Sequence, residues 1–285
     1  MYKLTLENQN NKQLVFNQIG GPYTITDISG LSPADATINT NTTALLDGAS
    51  YNSSKVNMRQ LLINFVIEEE AEANRLSVYE VIQPKKPITV YYQSELMDVF
   101  IDGYVESVQV GHFEPKQNVS VSILCPFPYW KTAQEVINDL QAVKNMFHFP
   151  FSSTEEPEIV FGEIDNTTHS IVVNNGSVDT GLTFELYAKA TIVNPKIFNY
   201  VTQDFIGINF TLQAGDLVTI STGSGQKTVT LLRNGVESNI FNSLMKDITW
   251  LQLPSGGAVF VYTTDSGLLA NLLVTIKHYD LYEGV

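Results

Sequence analysis

The sequence predicts a mainly β protein with two domains. Apolar and polar residues alternate over many short runs, which is the period of half-buried strands. Gly, Pro, Asn and Ser separate these runs at short intervals, as turns do. The chain has 285 residues and a hydrophobic content of 44%. It is therefore long enough, and apolar enough, to build two cores of moderate size.

The first predicted domain spans residues 1–131. An opening hairpin is expected at 2–16, and the apolar run 56–68 predicts a central strand. One helix is predicted over 74–83, because its apolar residues have helical spacing and Pro84 ends it. The acidic run that precedes this helix is interpreted as its solvated start. Further strands are predicted at 88–92, 101–110 and 118–124.

The segment 20–54 is dense in Gly, Asn, Thr, Ser and Pro. A connection of this polarity is typical of a surface loop or of a hairpin arm at a sheet edge. The residues alone do not separate a flexible loop from an arm that makes a contact.

The first domain ends in a run that stops abruptly at two prolines. Apolar and polar residues alternate over the predicted strand 118–124. Two prolines follow it closely, and because a proline has no N–H to donate to a β-ladder, the strand must end there. Two large rings follow and are suited to anchor a chain that leaves a sheet. The residues that mark this region are Asp102, Gly103, Cys125, Pro126, Pro128, Tyr129 and Trp130.

Residues 132–151 are predicted to connect the domains. Thr132 and Glu135 have the spacing of a capping box, and Val136, Ile137 and Leu140 supply an apolar face. These features predict a short linker helix. The aromatic segment 147–151 that follows is interpreted as packing at the domain junction, although a sugar platform uses the same residue types.

The second predicted domain, residues 152–285, has the pattern of a β-sandwich. Short strands alternate with turn signals, including Asn-Gly turns at 174–176 and 234–235. The segment Gly223–Thr228 superficially suggests a phosphate loop. It lacks the upstream glycine spacing and lies between strands, so it is predicted to be a hairpin tip.

Several phrases together resemble one family. The stretches IDGYVESV, VSVSILCPFPYW and FHFPFSS, then NNGSVDTGLTFEL, AGDLVTISTGSGQKTV and YDLYEGV, are similar to the distal tail proteins of long-tailed, non-contractile bacteriophages. The resemblance extends along most of the chain. It marks Asp102, Gly103 and the Cys-Pro-x-Pro-Tyr-Trp run as structural signatures and carries no chemistry with it.

The resemblance implies an architecture and a role. The first domain would be a β-sandwich-like belt domain related to tail-tube subunits, and the segment 20–54 would be an arm that clasps a neighbouring subunit. The second domain would be a galectin-like, carbohydrate-module-like sandwich. The chain would form a ring, expected to be a hexamer, that joins the tail tube to the tail-tip hub and lets DNA pass. Its outer domain would hold receptor-binding proteins, and its place would be the virion tail tip.

Composition excludes several other roles. The chain has 16 basic and 30 acidic residues, which disfavours sequence-specific nucleic-acid binding. No transmembrane segment or secretory signal is recognised, and one cysteine fits folding in a reducing host cytoplasm. Four scattered histidines do not form a zinc pattern. No catalytic residue, metal ligand or cofactor is nominated, so the chain is not expected to be an enzyme.

Two rival functions remain open at this stage. A stand-alone carbohydrate-binding module would present exposed, coplanar rings on the second domain and bind host-surface glycans. A hydrolase would need two carboxylates that converge in a cleft. The sequence offers no particular pair for the second alternative.

Overall fold

The chain forms two compact units. The computed structural model describes residues 2–17, 20–44, 47–140, 143–144, 163–164 and 169–285. The first unit consists of Met1–Gln134 together with Leu281–Val285, and the second of Glu135–Asp280. The described residues are mostly in strands, which confirms the predicted mainly β class.

The elements of the first part of the chain are, in order, β1 (Lys3–Asn8), β2 (Gln13–Asn17), β3 (Tyr23–Ser29), β4 (Ala36–Asn41), β5 (Ser50–Val56), β6 (Arg59–Ile67), α1 (Ala71–Val81), β7 (Pro87–Gln93), β8 (Asp98–Val110), β9 (Gln117–Cys125) and β10 (Trp130–Thr132). The remaining strands are β11 (Val136–Asp139), β12 (Val143–Lys144), β13 (Glu163–Ile164), β14 (His169–Val172), β15 (Thr180–Gly181), β16 (Thr183–Ala188), β17 (Ile192–Val193), β18 (Lys196–Asn199), β19 (Phe205–Gly207), β20 (Thr211–Leu212), β21 (Leu217–Ser221), β22 (Thr228–Arg233), β23 (Val236–Asn239), β24 (Gln252–Leu253), β25 (Ala258–Thr263), β26 (Leu272–His278) and β27 (Leu281–Tyr282). Two short 3-10 helices lie at Phe241–Ser243 and Leu269–Asn271.

One large antiparallel sheet builds the first unit, in the order β2-β1-β7-β8-β9-β6-β3. Buried residues alternate along β6 and β9, which confirms the predicted period of these strands. The rings of Phe16 on β2, Tyr23 on β3 and Phe65 on β6 meet with centroids 4.9–5.8 Å apart. The first and last strands of the order thus approach each other around a shared core. The predicted polar connection over 20–54 is wrong for Tyr23–Ser29, which form β3 and pair with β6.

Helix α1 covers part of this core, as predicted for residues 74–83. Val78 and Val81 are its buried residues. The Tyr23 hydroxyl donates to the carbonyl of Asn74, 3.3 Å away, and the Asn8 amide donates to that of Glu80, at 3.1 Å. Contacts at both ends of the helix therefore hold it against the sheet.

The first unit has two ends that matter below. Strand β8 runs antiparallel to β7 and β9, so the β7–β8 turn and the β8–β9 turn lie at opposite ends. We call the end of β6 and β9 with Arg59 and Cys125, from which the arm leaves, the arm end. We call the opposite end the loop end, because it contains the β8–β9 turn, residues 111–116. Gln117 and Ile67 pair with each other at this end. Strand β8 has 13 residues and is therefore about 40 Å long at the usual rise of a strand.

The chain returns to the first unit at its C-terminus. Strand β27 pairs with β10, with Lys131 opposite Leu281 and Trp130 opposite Tyr282. Val285 donates its backbone N–H to the carbonyl of Leu31, 3.1 Å away. The predicted second domain, 152–285, therefore differs from the structure in its last five residues. Their apolar side chains pack against the core of the first unit.

The predicted linker helix is wrong. Residues 130–132 form β10 and residues 136–139 form β11, which pairs with β26 from Val136 opposite His278 to Asp139 opposite Thr275. The capping-box signal at Thr132 and Glu135 is local. It is outweighed by pairing with a distant strand, to which the β-branched Val136 and Ile137 are well suited. The aromatic segment 147–151 lies outside the described residues.

The second unit is built from two larger sheets. One has the order β11-β26-β16-β21-β22-β23 and the other β14-β25-β18-β19. Phe184 from the first sheet and Phe260 from the second meet edge to face, with centroids 6.0 Å apart. Both rings are fully buried in one core, so the sheets pack as a sandwich. The finer galectin-like assignment stays a prediction.

The turns of the second unit test three sequence predictions. Asn234-Gly235 joins β22 to β23 with φ of 53° and 77°, the two left-handed positions of a tight hairpin. Residues 222–227 form the predicted tip between β21 and β22. The hairpin predicted at 174–176 is wrong, because β14 pairs with β25. The Asn174 side chain instead accepts from the Gly176 N–H, 2.9 Å away, within the loop.

An ion pair makes the second unit sensitive to acid. The Asp216 carboxylate is buried and receives two hydrogen bonds from Arg233, of 2.8 and 2.5 Å, and one of 2.6 Å from the Gln213 N–H. These hydrogen bonds hold the pKa of Asp216 below its ordinary value of 3.8, and the bond from Arg233 has the largest effect. Because the folded pKa is depressed, the stabilisation is complete above about pH 4 and is lost as pH falls through the folded value.

We therefore expect Asp216→Asn to lower the free energy of unfolding of the second unit by about 2 kcal/mol at neutral pH. The difference from the wild type should shrink below about pH 4, where the wild-type carboxyl also becomes neutral. Trp250, the one tryptophan of this unit, reports its unfolding by fluorescence in a Trp130→Phe background. Asp265→Asn is the control, since its partner Lys196 and Asp265 itself are both partly exposed. A constant difference across this pH range would contradict the expectation.

Candidate interaction site: the arm and the arginine at its base

A two-stranded arm leaves the first unit between β3 and β6. Strands β4 and β5 pair only with each other, as a separate two-stranded sheet. Their residues are exposed except for Thr37, which is half-buried. Ile38 and Tyr51 are 63% and 67% exposed. The described arm residues thus contribute nothing to the core of the first unit.

The arm is held together mainly by polar contacts. Asn39 donates to the Ser53 hydroxyl at 3.0 Å, and Thr37 donates to the Asn57 side chain at 2.8 Å. A bulge between Asn39 and Thr40 interrupts its ladder. An isolated two-stranded ribbon is marginally stable in water. Its backbone edges and the exposed Ile38 and Tyr51 side chains are features by which a strand or arm contacts another chain.

Arg59, the first residue of β6, organises the base of this arm. The residue is 2% exposed. Its guanidinium donates to the carbonyls of Gly30, Ser32 (2.5 Å), Pro128 (2.7 Å) and Glu283. The planar fork of an arginine suits such a set of acceptors, whereas a lysine cannot reach all of them. One side chain therefore ties three chain segments together: the approach to the arm, the proline turn and the C-terminus.

Trp130 lies beneath this arginine. The ring is fully buried and its centroid lies 5.9 Å from the Arg59 guanidinium carbon. Burial lowers the pKa of Arg59, an effect that the nearby Cys125 opposes. The group stays charged at any physiological pH. The carbonyl oxygens thus stabilise a buried charge that has no carboxylate bonded to it in the described chain.

Gly30 meets a steric requirement at the same place. Its φ is +90°, a conformation that L side chains rarely adopt. A Cβ at this position would also lie 2.1 Å from the carbonyl oxygen of Gln60. Only glycine lets the chain pass this close to β6 before it enters the arm.

The sequence-predicted residues lie around this hub, and several contact one another. Asp102 on β8 forms an ion pair of 2.9 Å with Lys131 and accepts from the Thr89 hydroxyl at 3.0 Å. A Cβ on Gly103 would lie 2.6 Å from Ile123 and 2.9 Å from the Cys125 sulfur. Gly103 therefore permits close packing of β8 against β9.

Cys125 is a buried thiol at the end of β9. Burial raises its pKa to about 12. A thiol with this pKa is almost entirely protonated at neutral pH and is a poor nucleophile. The predicted packing role fits this environment.

Pro126, Pro128 and Tyr129 form the turn that leads from β9 to Trp130. Pro126 is exposed, and the carbonyl of Pro128 is the acceptor for Arg59 noted above. Tyr129 packs edge to face on Phe127, with centroids 5.4 Å apart. Burial raises the pKa of Tyr129, and the nearby Glu283 carboxylate raises it further by a smaller amount. The sequence reasoning found this turn but missed Arg59. The one signal for it was a lone arginine at the head of an apolar strand.

Two further kinds of feature are absent from the described residues. Among them, no group of three or more His, Cys, Asp or Glu side chains is arranged to hold a metal ion. Nor does the described part contain a helix that is long and apolar enough to cross a membrane. What the geometry does present is an exposed arm on a pinned base, which is an arrangement for contact with other chains.

Comparison with known proteins gives this arrangement a context. Residues 175–278 match the family model of the siphovirus-type tail component, C-terminal domain. The crystal structure of the SPP1 Dit (gp 19.1) protein, described as a paradigm of the hub adsorption apparatus in phages that infect Gram-positive bacteria, is similar with a TM-score of 0.70 and 14% identity. The match covers 98% of each chain.

Two structures of the phage P2 baseplate in its activated conformation are also similar. The one with Ca has a TM-score of 0.55 at 13% identity, and the one with Sr has 0.53 at 11%. Each match covers 97% of this chain and 98% of the other. None of the curated proteins matches the sequence.

These similarities agree with the sequence phrases quoted above. The family model covers most of the second unit, and the shared fold extends over nearly the whole chain. The resemblance is thereby confirmed: residues 175–278 carry the siphovirus-type tail component domain, and the chain as a whole has the fold of the SPP1 Dit protein.

Proposed function

We propose that this chain is a distal tail protein that forms a ring of six copies at the tail tip. The ring joins the tail tube to the baseplate or tail-tip hub. The observation that carries the proposal is the exposed arm on its pinned base. The arm has no partner strand from the described part of its own chain, and it belongs to a fold shared with baseplate components.

The arm supplies the contact between neighbouring copies. Its Asn, Thr and Ser side chains and backbone edges make directional hydrogen bonds, while Ile38 and Tyr51 provide apolar anchors. A head-to-tail contact of this kind closes into a ring when the rotation between copies permits it. Arg59 fixes the place from which the arm leaves.

Charge supports a role in DNA passage. The formal net charge of the chain is −14. A lumen lined by part of this excess would repel the DNA backbone and keep the passing genome from sticking. A basic lumen in the assembled ring would contradict this part of the proposal.

The second unit serves as the outer attachment point for receptor-binding proteins.

A second candidate, glycan binding by the second unit, is favoured by one observation. Phe241 and Trp250 stack with centroids 5.8 Å apart and planes 27° apart, and Phe241 is 41% exposed. The Lys227 ammonium lies 5.1 Å from the Trp250 ring. Stacked rings with a polar neighbour are one way to hold a sugar face, and this role is compatible with a ring component.

Removing the arm tests the main proposal. Replacement of residues 36–56 by a short Gly-Ser linker should leave both units folded, because the arm is exposed. The same change should prevent ring formation, since it removes the contact between copies. Symmetry in electron micrographs of the particles is the decisive measurement, with solution mass as a secondary one.

The control replaces Val201 by serine. This residue is 76% exposed and lies in the second unit, so its replacement should leave the ring intact. Rings of normal symmetry from the armless chain would refute the proposed contact. A wild-type chain that is missing from tail tips would refute the proposed function itself.

A further inference from the structure

The loop end of the first unit carries an apolar side chain in an unfavourable setting. Phe113, in the β8–β9 turn, is fully exposed to solvent. Its φ of 66° places a bulky residue in the left-handed region. Both features cost free energy in the isolated chain, and outliers of this kind cluster at functional positions. The arm end and its hub do not explain them.

Contacts on both sides hold this turn in place. On one flank, Arg75 of α1 lies 3.2 Å from the His112 ring nitrogen Nδ1. On the other, Lys116 forms an ion pair with Glu68, just beyond the end of β6. The Gly111 N–H donates to the carbonyl of Asn118 at 2.8 Å. The backbone is thus anchored while the Phe113 ring points away from the unit's core.

Helix α1, whose Arg75 contacts the turn, also exposes an apolar side chain. Leu76, next to the Arg75 that contacts the turn, is 55% exposed. It lines an open depression of about 540 Å³ together with Glu70, Ala71, Glu72 and Ala73. The loop end therefore exposes a projecting ring and, on the helix that contacts its turn, an aliphatic side chain in a shallow depression.

The rim of this surface is acidic. Glu68 is half-buried, whereas Glu69, Glu70, Glu72 and Glu114 are exposed. The cations of the same segments are Arg75 and Lys116, so five carboxylates face two cations and the formal charge is −3. A partner must match both properties, with a pocket for a ring and a basic rim around it.

We propose that the loop end, from Phe113 to the Leu76 depression, is a docking surface for a different protein with an apolar pocket bordered by Lys and Arg. The proposal rests on the proposed function, in which the ring contacts an adjoining tail component through one of its faces. A second copy of this chain is disfavoured as the partner, because the proposed contact between copies is made by the arm and two acidic loop ends would repel each other. Phe113 is the anchor of the contact, and the fixed turn presents it without loss of loop freedom.

Incorporation into particles tests the anchor. Cells that carry the phage genome with this gene deleted are supplied with variants of the full chain, and the amount of chain per particle is measured by mass spectrometry. Loss of a central aromatic anchor typically weakens binding about 30-fold or more. Phe113→Ser should therefore lower incorporation at least about tenfold at limiting expression. Phe113→Tyr, which keeps the ring, should be incorporated well.

Two further variants separate docking from folding. Phe113→Gly relieves the positive φ, so the isolated chain should be at least as stable as the wild type, while incorporation should fall as it does for Phe113→Ser. Leu268→Ser is the matched control, since Leu268 is 73% exposed in the second unit. Normal incorporation of Phe113→Gly, or an equal loss with Leu268→Ser, would overturn the proposal.

A photoreactive benzoylphenylalanine at position 113 identifies what covers this surface in assembled particles. A cross-link to a different tail protein, close to its Lys or Arg residues, is the expected result. A cross-link to a second copy of this chain, or none at all, would overturn the proposal. These outcomes are distinct from failure of the proposed function, in which the wild-type chain itself is missing from particles.

Discussion

Replacing Arg59 with alanine is expected to lower the free energy of unfolding of the first unit by about 4 kcal/mol. The change removes hydrogen bonds to four carbonyl groups, from Gly30, Ser32, Pro128 and Glu283. Carbonyls that lose their partner in a buried place keep their desolvation cost, and the Trp130 ring loses its cation. Trp130 fluorescence during urea unfolding, in a Trp250→Phe background, measures the effect directly.

Two other arginine variants calibrate this result. Arg59→Lys keeps the charge but not the fork, so its effect should lie between those of the wild type and Arg59→Ala. Arg75→Ala removes a partly exposed arginine that contacts His112, and it should change stability by less than about 1 kcal/mol. If Arg59→Ala and Arg75→Ala had equal effects, Arg59 would not be the hub of the arm end.

Deleting residues 281–285 is expected to destabilise the first unit by a similar amount, about 4 kcal/mol. Leu281 is 5% exposed, and Tyr282 and Val285 pack against the core of that unit. The deletion also leaves β10 without its partner strand and removes the Glu283 carbonyl from Arg59. Trp130, opposite Tyr282 in the ladder, should report unfolding at lower urea, whereas Trp250 should report little change.

The control for the truncation is Glu283→Ala. This variant keeps the backbone carbonyl that accepts from Arg59, so its effect should stay within about 0.5 kcal/mol. A truncated chain in which the Trp130 transition is unmoved would show that the C-terminal strand contributes no stability to the first unit. Destabilisation of the Trp250 transition alone would contradict the assignment of these residues to the first unit.

Local patterns were sufficient to predict much of the fold. Alternation identified strands such as β6 and β9, and the stop at Pro84 correctly bounded helix α1. The Asn234-Gly235 turn was predictable because two adjacent left-handed positions are specific to such residues. In each case the information lies within a few residues of the element itself.

The sequence predictions are wrong or incomplete where residues far apart in the sequence determine the local structure. The segment after Thr132 has a helix-start signal, yet Val136 forms a ladder pair with His278, more than a hundred residues away. The role of Arg59 could not be predicted from the sequence, because its acceptors are backbone carbonyls, which every residue has. Only the folded chain brings Gly30, Pro128 and Glu283 to one point. The polarity of the arm was evident, but polarity alone does not distinguish a structured ribbon from a loose loop.

The paired strands β10 and β27 have a consequence for how such proteins diversify. Lys131 and Leu281 are ladder partners, so the places where the chain leaves and re-enters the first unit are neighbours in space. Everything between them is, in effect, an insertion into a surface turn of a complete scaffold. Recombination at these two adjacent joints can exchange the second unit for another module without rethreading the first. The second unit can thereby change while the sheet and the core of the first unit are preserved.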